Sequence, residues 1–162
     1  MPTVFLGLGS NIEPLQNLRM AVSELRSRFG EVRLSSVYQS KPLGFQGEDF
    51  LNLVARISTD LTPLAVCQFI DEIHDMSGRE RGCAKLISRA LDIDLLLYDR
   101  LIQKEPPVRV PRADVLEYGF VLQPLAEIAA DYVHPQTGRS IADHLRDFDL
   151  SRHRLTRRDV IL

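Results

Sequence analysis

Apolar and polar positions along residues 3–98 follow a pattern that predicts strands and helices in a definite order. Alternation with period two indicates strands, and apolar residues spaced three or four apart indicate amphipathic helices. Pro and Gly residues mark the ends of these segments. The predicted elements are, in order, a strand over residues 3–8, a turn over 7–11, a helix from Pro14 that ends before Gly30, a strand over 32–39, a loop over 41–49, a strand over 50–58, a helix from Pro63 and a strand over 89–98.

This β-α-β-β-α-β order predicts an α+β protein with a ferredoxin-like antiparallel sheet and helices packed on one side of it. A C-terminal helical extension is expected next, with a helix that begins near Pro124 and a short helix over residues 141–148. The tail from Ser151 is polar and rich in arginine, so we expect it to be frayed. At 162 residues we expect one domain over residues 1–162, with this tail at its end.

The predicted strand over residues 89–98 carries two aspartates on one face. Its other face is apolar at period two, with Leu91, Ile93, Leu95 and Leu97. Asp92 and Asp94 would lie roughly 6–7 Å apart at about 3.3 Å per residue. Like charges at this range repel, so a cation between them is expected, and Mg²⁺ commonly binds one or two protein carboxylates together with substrate phosphates. The spacing alone leaves a second interpretation open, a strand end with two solvated aspartates.

A basic loop over residues 78–89 precedes this strand and contains two glycines and four cationic residues. Cations on phosphate oxygens and aspartates on the metal would suit a magnesium–nucleotide ligand. The alternative is a solvated charged loop. The loop and the acidic strand together favour the nucleotide site more than either does alone.

The composition is that of an ordinary globular protein, with 44% hydrophobic and 26% charged residues. The net charge of −2 provides no global basic field for nucleic acid or membrane, and neither is expected as a partner. Cys67 and Cys83 form neither a disulfide framework nor a zinc set. No apolar run approaches the length of a membrane span, and the N-terminus lacks signal-peptide features, so a cytoplasmic location is expected.

Several short segments, taken in order, resemble those of the 6-hydroxymethyl-7,8-dihydropterin pyrophosphokinases of folate biosynthesis. The resemblance extends to about residue 130 and agrees with the fold predicted above. The segments are Gly9-Ser10-Asn11, residues 42–46, Phe50-Leu51-Asn52, residues 78–81, residues 89–98, Val110-Pro111 and residues 119–129.

The resemblance implies an ATP-dependent diphosphotransferase that moves pyrophosphate from MgATP to the hydroxymethyl group of a reduced pterin and releases AMP. It implies two Mg²⁺ ions held by Asp92 and Asp94, with ATP and the pterin as the partners, and it favours a monomer. The catalytic residues that it implies are Arg79, Arg89, Asp92 and Asp94. The nucleotide-binding residues that it implies are Arg79, Arg81, Arg89 and Arg112. The pterin-binding residues that it implies are Ser40, Leu43, Phe50, Asn52 and Phe120.

The chain departs from the usual family pattern at several positions. Residues 86–88 replace a segment that usually begins with an aromatic residue, which predicts a weaker second stacking face for the pterin. Arg112 stands where the family usually has His, Tyr118 where it usually has Arg, and His74 where it often has Glu. These departures motivate a second hypothesis, a diverged paralogue that binds MgATP but uses a different acceptor or lacks transfer activity.

A third class of function is a noncatalytic ferredoxin-like module that binds nucleic acid. The nearly neutral charge and the lack of a sheet face with interleaved aromatic and basic residues disfavour it.

Overall fold

The fold is given by a computed structural model that describes residues 1–44, 46–78 and 91–162. The described helices and strands are, in chain order, β1 (Thr3–Ser10), α1 (Pro14–Phe29), β2 (Arg33–Leu34), β3 (Val37–Ser40), β4 (Phe50–Ser58), α2 (Pro63–Met76), β5 (Asp92–Tyr98), α3 (Asp114–Glu117), α4 (Gly119–Ala129), α5 (Ile141–Asp147), a 3-10 turn (Leu150–Arg152) and β6 (Leu155–Arg158).

The described strands belong to one antiparallel sheet with the order β5-β1-β4-β3-β6, in which β2 also pairs with β4. The prediction of an α+β protein with an antiparallel sheet is therefore confirmed. The sheet is not the simple ferredoxin-like one that we predicted, because β2 and β3 both lie against β4 and β6 adds a further edge strand beside β3.

One face of the sheet, called face A, is covered by α1 and α2. Alternate residues of β1 point to this face because strand side chains have a period of two. They pack with the apolar stripes of both helices, and each fully buried aliphatic side chain contributes about 1.5–3 kcal/mol. The buried members from β1 and these two helices are Val4, Leu6, Leu8, Leu18, Ala21, Val22, Leu25, Val66, Ile70 and Ile73.

The opposite face, called face B, is covered only in part. Phe5 and Val54 lie on this face and share a second buried cluster with α3, α4 and α5. The prediction that helices lie on one side of the sheet is wrong, because the C-terminal helices pack on this second face. The helical members of the cluster include Val115, Val121, Leu122, Leu125 and Ile141.

Strand β5 contains a break in register that the sequence pattern did not reveal. Its pairing with β1 shifts so that Phe5 pairs with Leu97 while Leu6 pairs with Leu95. The extra residue in β5 turns Leu97 to face B and Tyr98 to face A. The predicted apolar face is therefore right as far as Leu95 and wrong at Leu97.

Ser35 divides the predicted strand over residues 32–39 into β2 and β3. The N–H of Val54 donates to the Ser35 hydroxyl at 2.9 Å, and the Ser35 N–H donates to the Val54 carbonyl at 2.9 Å. A serine hydroxyl that replaces a backbone acceptor interrupts the regular ladder. The chain therefore pairs with β4 in two short pieces.

Two expectations for the C-terminal part differ from the structure. Helix α4 begins at Gly119, so Pro124 lies inside the helix and not at its start. Pro124 cannot donate a backbone hydrogen bond, but the apolar contacts of its neighbours stabilise the helix around it. We expected the tail to be frayed, but Leu155–Arg158 forms β6 along the free edge of β3. The short helix predicted at residues 141–148 is confirmed as α5.

Candidate active site

The part of face B that the C-terminal helices leave uncovered forms a cleft. Its floor is made by β1, β4 and β5, and its walls by the loop after β3 and the start of α4. It encloses about 920 Å³ including its open mouth. The predicted site residues that line it are Ser40, Leu43, Phe50, Asn52, Asp92, Asp94 and Phe120.

Two glycines of β1 leave space in the cleft because they carry no side chain. Gly7 and Gly9 lie on face B, where Gly9 pairs with Asn52 on one side and Asp92 on the other, and Gly7 pairs with Asp94. A Cβ atom on Gly9 would lie 3.1 Å from the Asn52 Oδ1 atom. The prediction of a turn at residues 7–11 is wrong, because β1 continues to Ser10 and the glycines serve close approach within a strand.

Asp92 and Asp94 lie side by side on face B, both half-buried. Ile93 between them points to face A. Its N–H donates to Nε2 of His74 at 2.8 Å, so α2 holds this edge strand at the point between the two carboxylates. His74 is a positioning residue that the sequence marked only as a departure from the family pattern.

Arg112 lies beside this pair of aspartates. Its Nη2 atom is 3.5 Å from Asp94 Oδ1, and its Nε atom is 3.2 Å from Asp114 Oδ2. Its backbone N–H donates to the Leu96 carbonyl at 2.9 Å, which fixes it alongside β5. Burial lowers the pKa of Arg112, but the carboxylates of Asp94, Asp114 and Asp92 outweigh this effect and the pKa is raised.

The carboxylates of Asp92 and Asp94 fit a magnesium ion that is shared with a phosphate-bearing ligand. Mg²⁺ keeps most of its coordination for water and phosphate oxygens and commonly binds only one or two protein carboxylates. Over residues 1–44, 46–78 and 91–162 there is no group of three or more His, Cys, Asp or Glu side chains arranged to hold a metal alone. The two carboxylates match the share of its coordination that Mg²⁺ commonly takes from protein.

Asn52 on β4 and Ser40 on β3 form a buried polar pair, and Gly9 lies between Asn52 and Asp92 in the sheet. The Asn52 Nδ2 atom donates to the Ser40 hydroxyl at 2.8 Å, and both residues are almost completely buried. This bond fixes the orientation of the Asn52 amide. Phe50 lines the cleft beside them, whereas Leu43 lies on the more exposed loop.

Phe120 stands at the start of α4 and belongs to an aromatic stack. The ring of Tyr118 lies 5.0 Å from that of Phe120 with an interplanar angle of 16°. His153 lies against Tyr118 and accepts the Gly119 N–H through Nδ1 at 3.2 Å. The C-terminal segment therefore supports the start of α4, a contact that the sequence did not indicate.

Three predicted residues, Arg79, Arg81 and Arg89, lie outside the described residues, as do residues 86–88 and Cys83. Their predicted roles stay predictions. The described part of the cleft already supplies the rings of Phe50 and Phe120.

Comparison with known proteins identifies the family. The family model of 7,8-dihydro-6-hydroxymethylpterin-pyrophosphokinase (HPPK) matches residues 5–130. A relative from Haemophilus influenzae, a 2-amino-4-hydroxy-6-hydroxymethyldihydropteridine pyrophosphokinase, is 37% identical in an alignment of length 155 that covers 89% of this chain and 96% of that protein. The chain belongs to the HPPK family. A second relative of the same name, from Pseudomonas aeruginosa, is 35% identical over 88% of this chain and 89% of its own length.

Solved structures share the fold of this HPPK family member. The crystal structure of Plasmodium falciparum HPPK-DHPS with pterin and p-hydroxybenzoate has a TM-score of 0.74 at 14% identity. The match covers 93% of this chain and 43% of that one, so the chain spans less than half of the HPPK-DHPS protein. At this identity the likeness concerns the fold alone.

Two residues that the HPPK resemblance did not indicate are Asp114, which lines the cleft, and His153, which supports the start of α4 from the tail. Tyr118 and His74 were indicated only as departures from the family pattern; Tyr118 lines the cleft, and His74 supports β5 from α2. Within the described ranges, no helix is both long enough and apolar enough to cross a bilayer.

Proposed function

We propose that this protein transfers pyrophosphate from MgATP to the hydroxymethyl group of 6-hydroxymethyl-7,8-dihydropterin and releases AMP, a step of folate biosynthesis. Membership of the HPPK family supports the reaction. The observation that carries the proposal for this chain is the cleft that holds the acidic pair of β5 beside a buried polar pair, Asn52 and Ser40.

The pterin half of the site is assigned to Ser40, Leu43, Phe50, Asn52 and Phe120. A pterin is a flat ring system with hydrogen-bonding groups along its edge. Aromatic rings stack on such a face, and a fixed amide reads such an edge because Asn presents one acceptor and two donors. The Nδ2 atom of Asn52 already donates to the Ser40 hydroxyl at 2.8 Å and to the Tyr38 carbonyl at 3.5 Å, so the amide is fixed and its Oδ1 acceptor is the group assigned to the ligand edge.

The nucleotide half is assigned to Asp92, Asp94 and Arg112, with Arg79, Arg81 and Arg89 from the adjoining loop. Magnesium bound at the aspartates would hold phosphate oxygens and offset the charge that develops on them. The guanidinium groups would bind the remaining phosphate oxygens, and Arg suits this because its planar donors can bind in pairs.

The transfer breaks one bond and forms one. The pterin hydroxyl oxygen attacks the β-phosphorus of ATP, the bond from this phosphorus to the α–β bridging oxygen breaks, and AMP leaves with that oxygen. The hydroxyl proton passes to solvent. The protein groups orient the two substrates in line and stabilise the charge of the transferred group, which supplies most of the catalysis in phosphoryl transfer.

A second candidate function is that of a diverged family member that binds MgATP but uses another acceptor or lacks transfer. One observation favours it: the Tyr118 ring already lies against one face of Phe120 in the cleft. A pterin would then stack on the other face of Phe120 or displace Tyr118.

The test is AMP formation from ATP with and without the hydroxymethyl pterin, and with and without Mg²⁺. We expect AMP only when all three are present, and we expect Asp94→Asn to lose nearly all of it with unfolding unchanged. Asp147→Asn is the matched control, because Asp147 also pairs with an arginine, at 2.6 Å from Arg139, but lies on α5. It should keep full activity. Tight MgATP binding with no response to the pterin would favour the second candidate, and no AMP at millimolar substrate would refute the proposal.

A further inference from the structure

The start of helix α4 packs closely against the C-terminal tail. Gly119 is buried there, and a Cβ atom on it would lie 3.1 Å from Leu150 Cδ2 and 3.2 Å from His153 Cβ. The Gly119 N–H donates to Nδ1 of His153 at 3.2 Å. Because Gly119 has no side chain, the tail comes close enough to accept a hydrogen bond from the first residue of the helix.

This hydrogen bond satisfies a group that the helix itself cannot satisfy. The first N–H groups of an α-helix have no partner within the helix. Tyr118 occupies the N-cap position, which Ser, Thr, Asp and Asn usually fill because their side chains accept such a bond. The imidazole of His153 therefore takes the capping role from a distant part of the chain.

The far end of α4 is held separately. The Tyr38 hydroxyl donates to Glu127 Oε1 at 2.7 Å, and the Ser36 N–H donates to Glu127 Oε2 at 2.9 Å. These bonds tie the end of the helix to β3 and to the residue before it. Loss of the bond to His153 should therefore loosen the first turn of α4 and leave the rest of the helix in place.

The first turn of α4 carries the ring of Phe120, which lines the cleft. The Tyr118 ring stacks on Phe120 at 5.0 Å, and the His153 ring lies 6.1 Å from Tyr118. A ring that stacks on a flat ligand must present its face within a narrow range of distance and angle. The tail also pairs with β3, where Leu155 lies opposite Ser40. The same segment is thus attached to both walls of the candidate pterin site.

We propose that His153 is a positioning residue for the reduced pterin, which fixes the Phe120 ring by accepting the Gly119 N–H. The inference rests on the proposed function for the pterin role of Phe120. It adds that the tail sets the affinity for the pterin and leaves the affinity for MgATP unchanged, because the nucleotide half is assigned to β5, to Arg112 and to the loop before β5.

Two substitutions separate the acceptor of His153 from its ring. His153→Phe keeps an aromatic ring and removes the acceptor, so the reduced pterin should bind about threefold to tenfold more weakly. His153→Asn removes the ring and keeps an acceptor, since Asn Oδ1 is attached to Cγ as Nδ1 is, and should bind the pterin within about twofold of wild type. Gly119→Ala pushes the tail away from α4 and should weaken pterin binding in the same direction.

The experiment uses two measurements. Calorimetry titrates the reduced pterin into protein saturated with the magnesium complex of α,β-methylene ATP, in which the scissile bridge is replaced by carbon, and titrates this analogue alone. Affinity for the analogue should stay within about twofold of wild type in every variant. Amide hydrogen exchange of the ligand-free protein, followed by NMR, should show the Gly119 N–H exchanging about tenfold faster in His153→Phe and little changed in His153→Asn.

His144→Phe is the matched control. His144 is also a histidine whose ring makes a hydrogen bond, 2.7 Å from the Thr137 hydroxyl, but it lies on α5. The same substitution there should change neither pterin affinity nor the exchange of the Gly119 N–H.

Unchanged pterin affinity in His153→Phe overturns the inference, and if that variant does not fold, unchanged affinity in Gly119→Ala overturns it. Equal weakening in His153→Phe and His153→Asn also overturns it, because the acceptor would then not be decisive. Equal loss of pterin and analogue affinity would show that the tail only supports the fold, and would overturn it too.

Failure of the proposed function looks different. If the wild-type protein did not bind the pterin, the proposed function would be refuted, and the exchange of the Gly119 N–H would still decide whether His153 holds the start of α4. Absence of AMP formation together with selective weakening of pterin binding in His153→Phe would refute only the proposed transfer.

Discussion

Gly9→Ala tests whether the glycines of β1 shape the candidate pterin site. An alanine Cβ at this position would lie 3.1 Å from Asn52 Oδ1, 3.9 Å from the Leu51 carbonyl and 4.0 Å from Phe50 Cδ1. The first contact is closer than van der Waals packing accepts, so the Asn52 amide must shift by a few tenths of an ångström, whereas the other two contacts are ordinary. The methyl group would therefore act on the amide more than on the backbone.

The magnitude follows from the bonds that Asn52 would lose. If the amide moves, its 2.8 Å bond to Ser40 weakens and its edge no longer matches the pterin. Such mismatched bonds are worth about 1–2 kcal/mol in total, which corresponds to about fivefold to thirtyfold in pterin affinity. The fold should lose little, because replacing Gly by Ala within a strand gains about 0.5–1 kcal/mol of backbone entropy and offsets the strain.

Calorimetric titration with the reduced pterin measures the loss of pterin affinity, and urea unfolding measures the change in stability. Gly7→Ala is the control for unfolding, because the three atoms nearest to its Cβ would all belong to the Leu96 side chain, the nearest at 3.4 Å, an ordinary contact. Both variants should unfold within about 1 kcal/mol of wild type. Pterin affinity within twofold of wild type in Gly9→Ala would refute the assignment of Asn52 to the pterin edge.

Two further predictions concern contacts outside the cleft. His74→Ala leaves the buried N–H of Ile93 without its acceptor at 2.8 Å, so it should lower the unfolding free energy by about 1–3 kcal/mol in urea titration, and no change would contradict the positioning role. Burial raises the pKa of Glu127, but hydrogen bonds from Tyr38 and Ser36 outweigh it and lower the pKa from 4.5. The stabilisation that these hydrogen bonds provide is present above pH 4.5 and is lost as the pH falls through the lower folded pKa. Glu127→Gln should therefore make the unfolding free energy depend less on pH in the acid range, and an unchanged dependence there would contradict this.

The sequence predicted best those elements whose boundaries depend on neighbouring residues. Helix α1 begins at Pro14 and ends before Gly30, and α2 begins at Pro63, as the apolar stripes and prolines indicated. Strand β4 occupies the predicted residues 50–58. In each case the periodic pattern and the punctuating residue lie within a few positions of each other, so local physics decides the outcome.

The elements that the sequence misjudged are decided by distant partners. The tail strand β6 forms because β3 has a free edge, a fact that no pattern in Leu155–Arg158 records. The extra residue in β5 exists only in relation to its pairing with β1, and it moves Leu97 across the sheet. Pro124 is tolerated inside α4 because of what packs around it.

The candidate site likewise contains residues that the sequence predicts and residues whose contacts depend on distant partners. Strand period alone predicted that Asp92 and Asp94 share one face, and family motifs predicted five further residues that line the same cleft. The contacts of His74 and Asp114 could not be predicted, since His74 binds β5 from α2 and Asp114 binds Arg112 from α3. Only the folded register shows which carbonyl, carboxylate or amide each of them meets.

The glycines of β1 allow one sheet to pack a core on face A and to form the cleft on face B. On face A, large side chains at alternate positions of β1 pack against the helices. On face B, the positions of β1 that pair with Asp94 and Asn52 carry no side chain. Gly7 and Gly9 allow both arrangements because they keep the ladder bonds of a central strand and leave space above them. A residue with higher strand propensity at either position would strengthen the sheet and fill the cleft, so stability and binding oppose each other at these two positions.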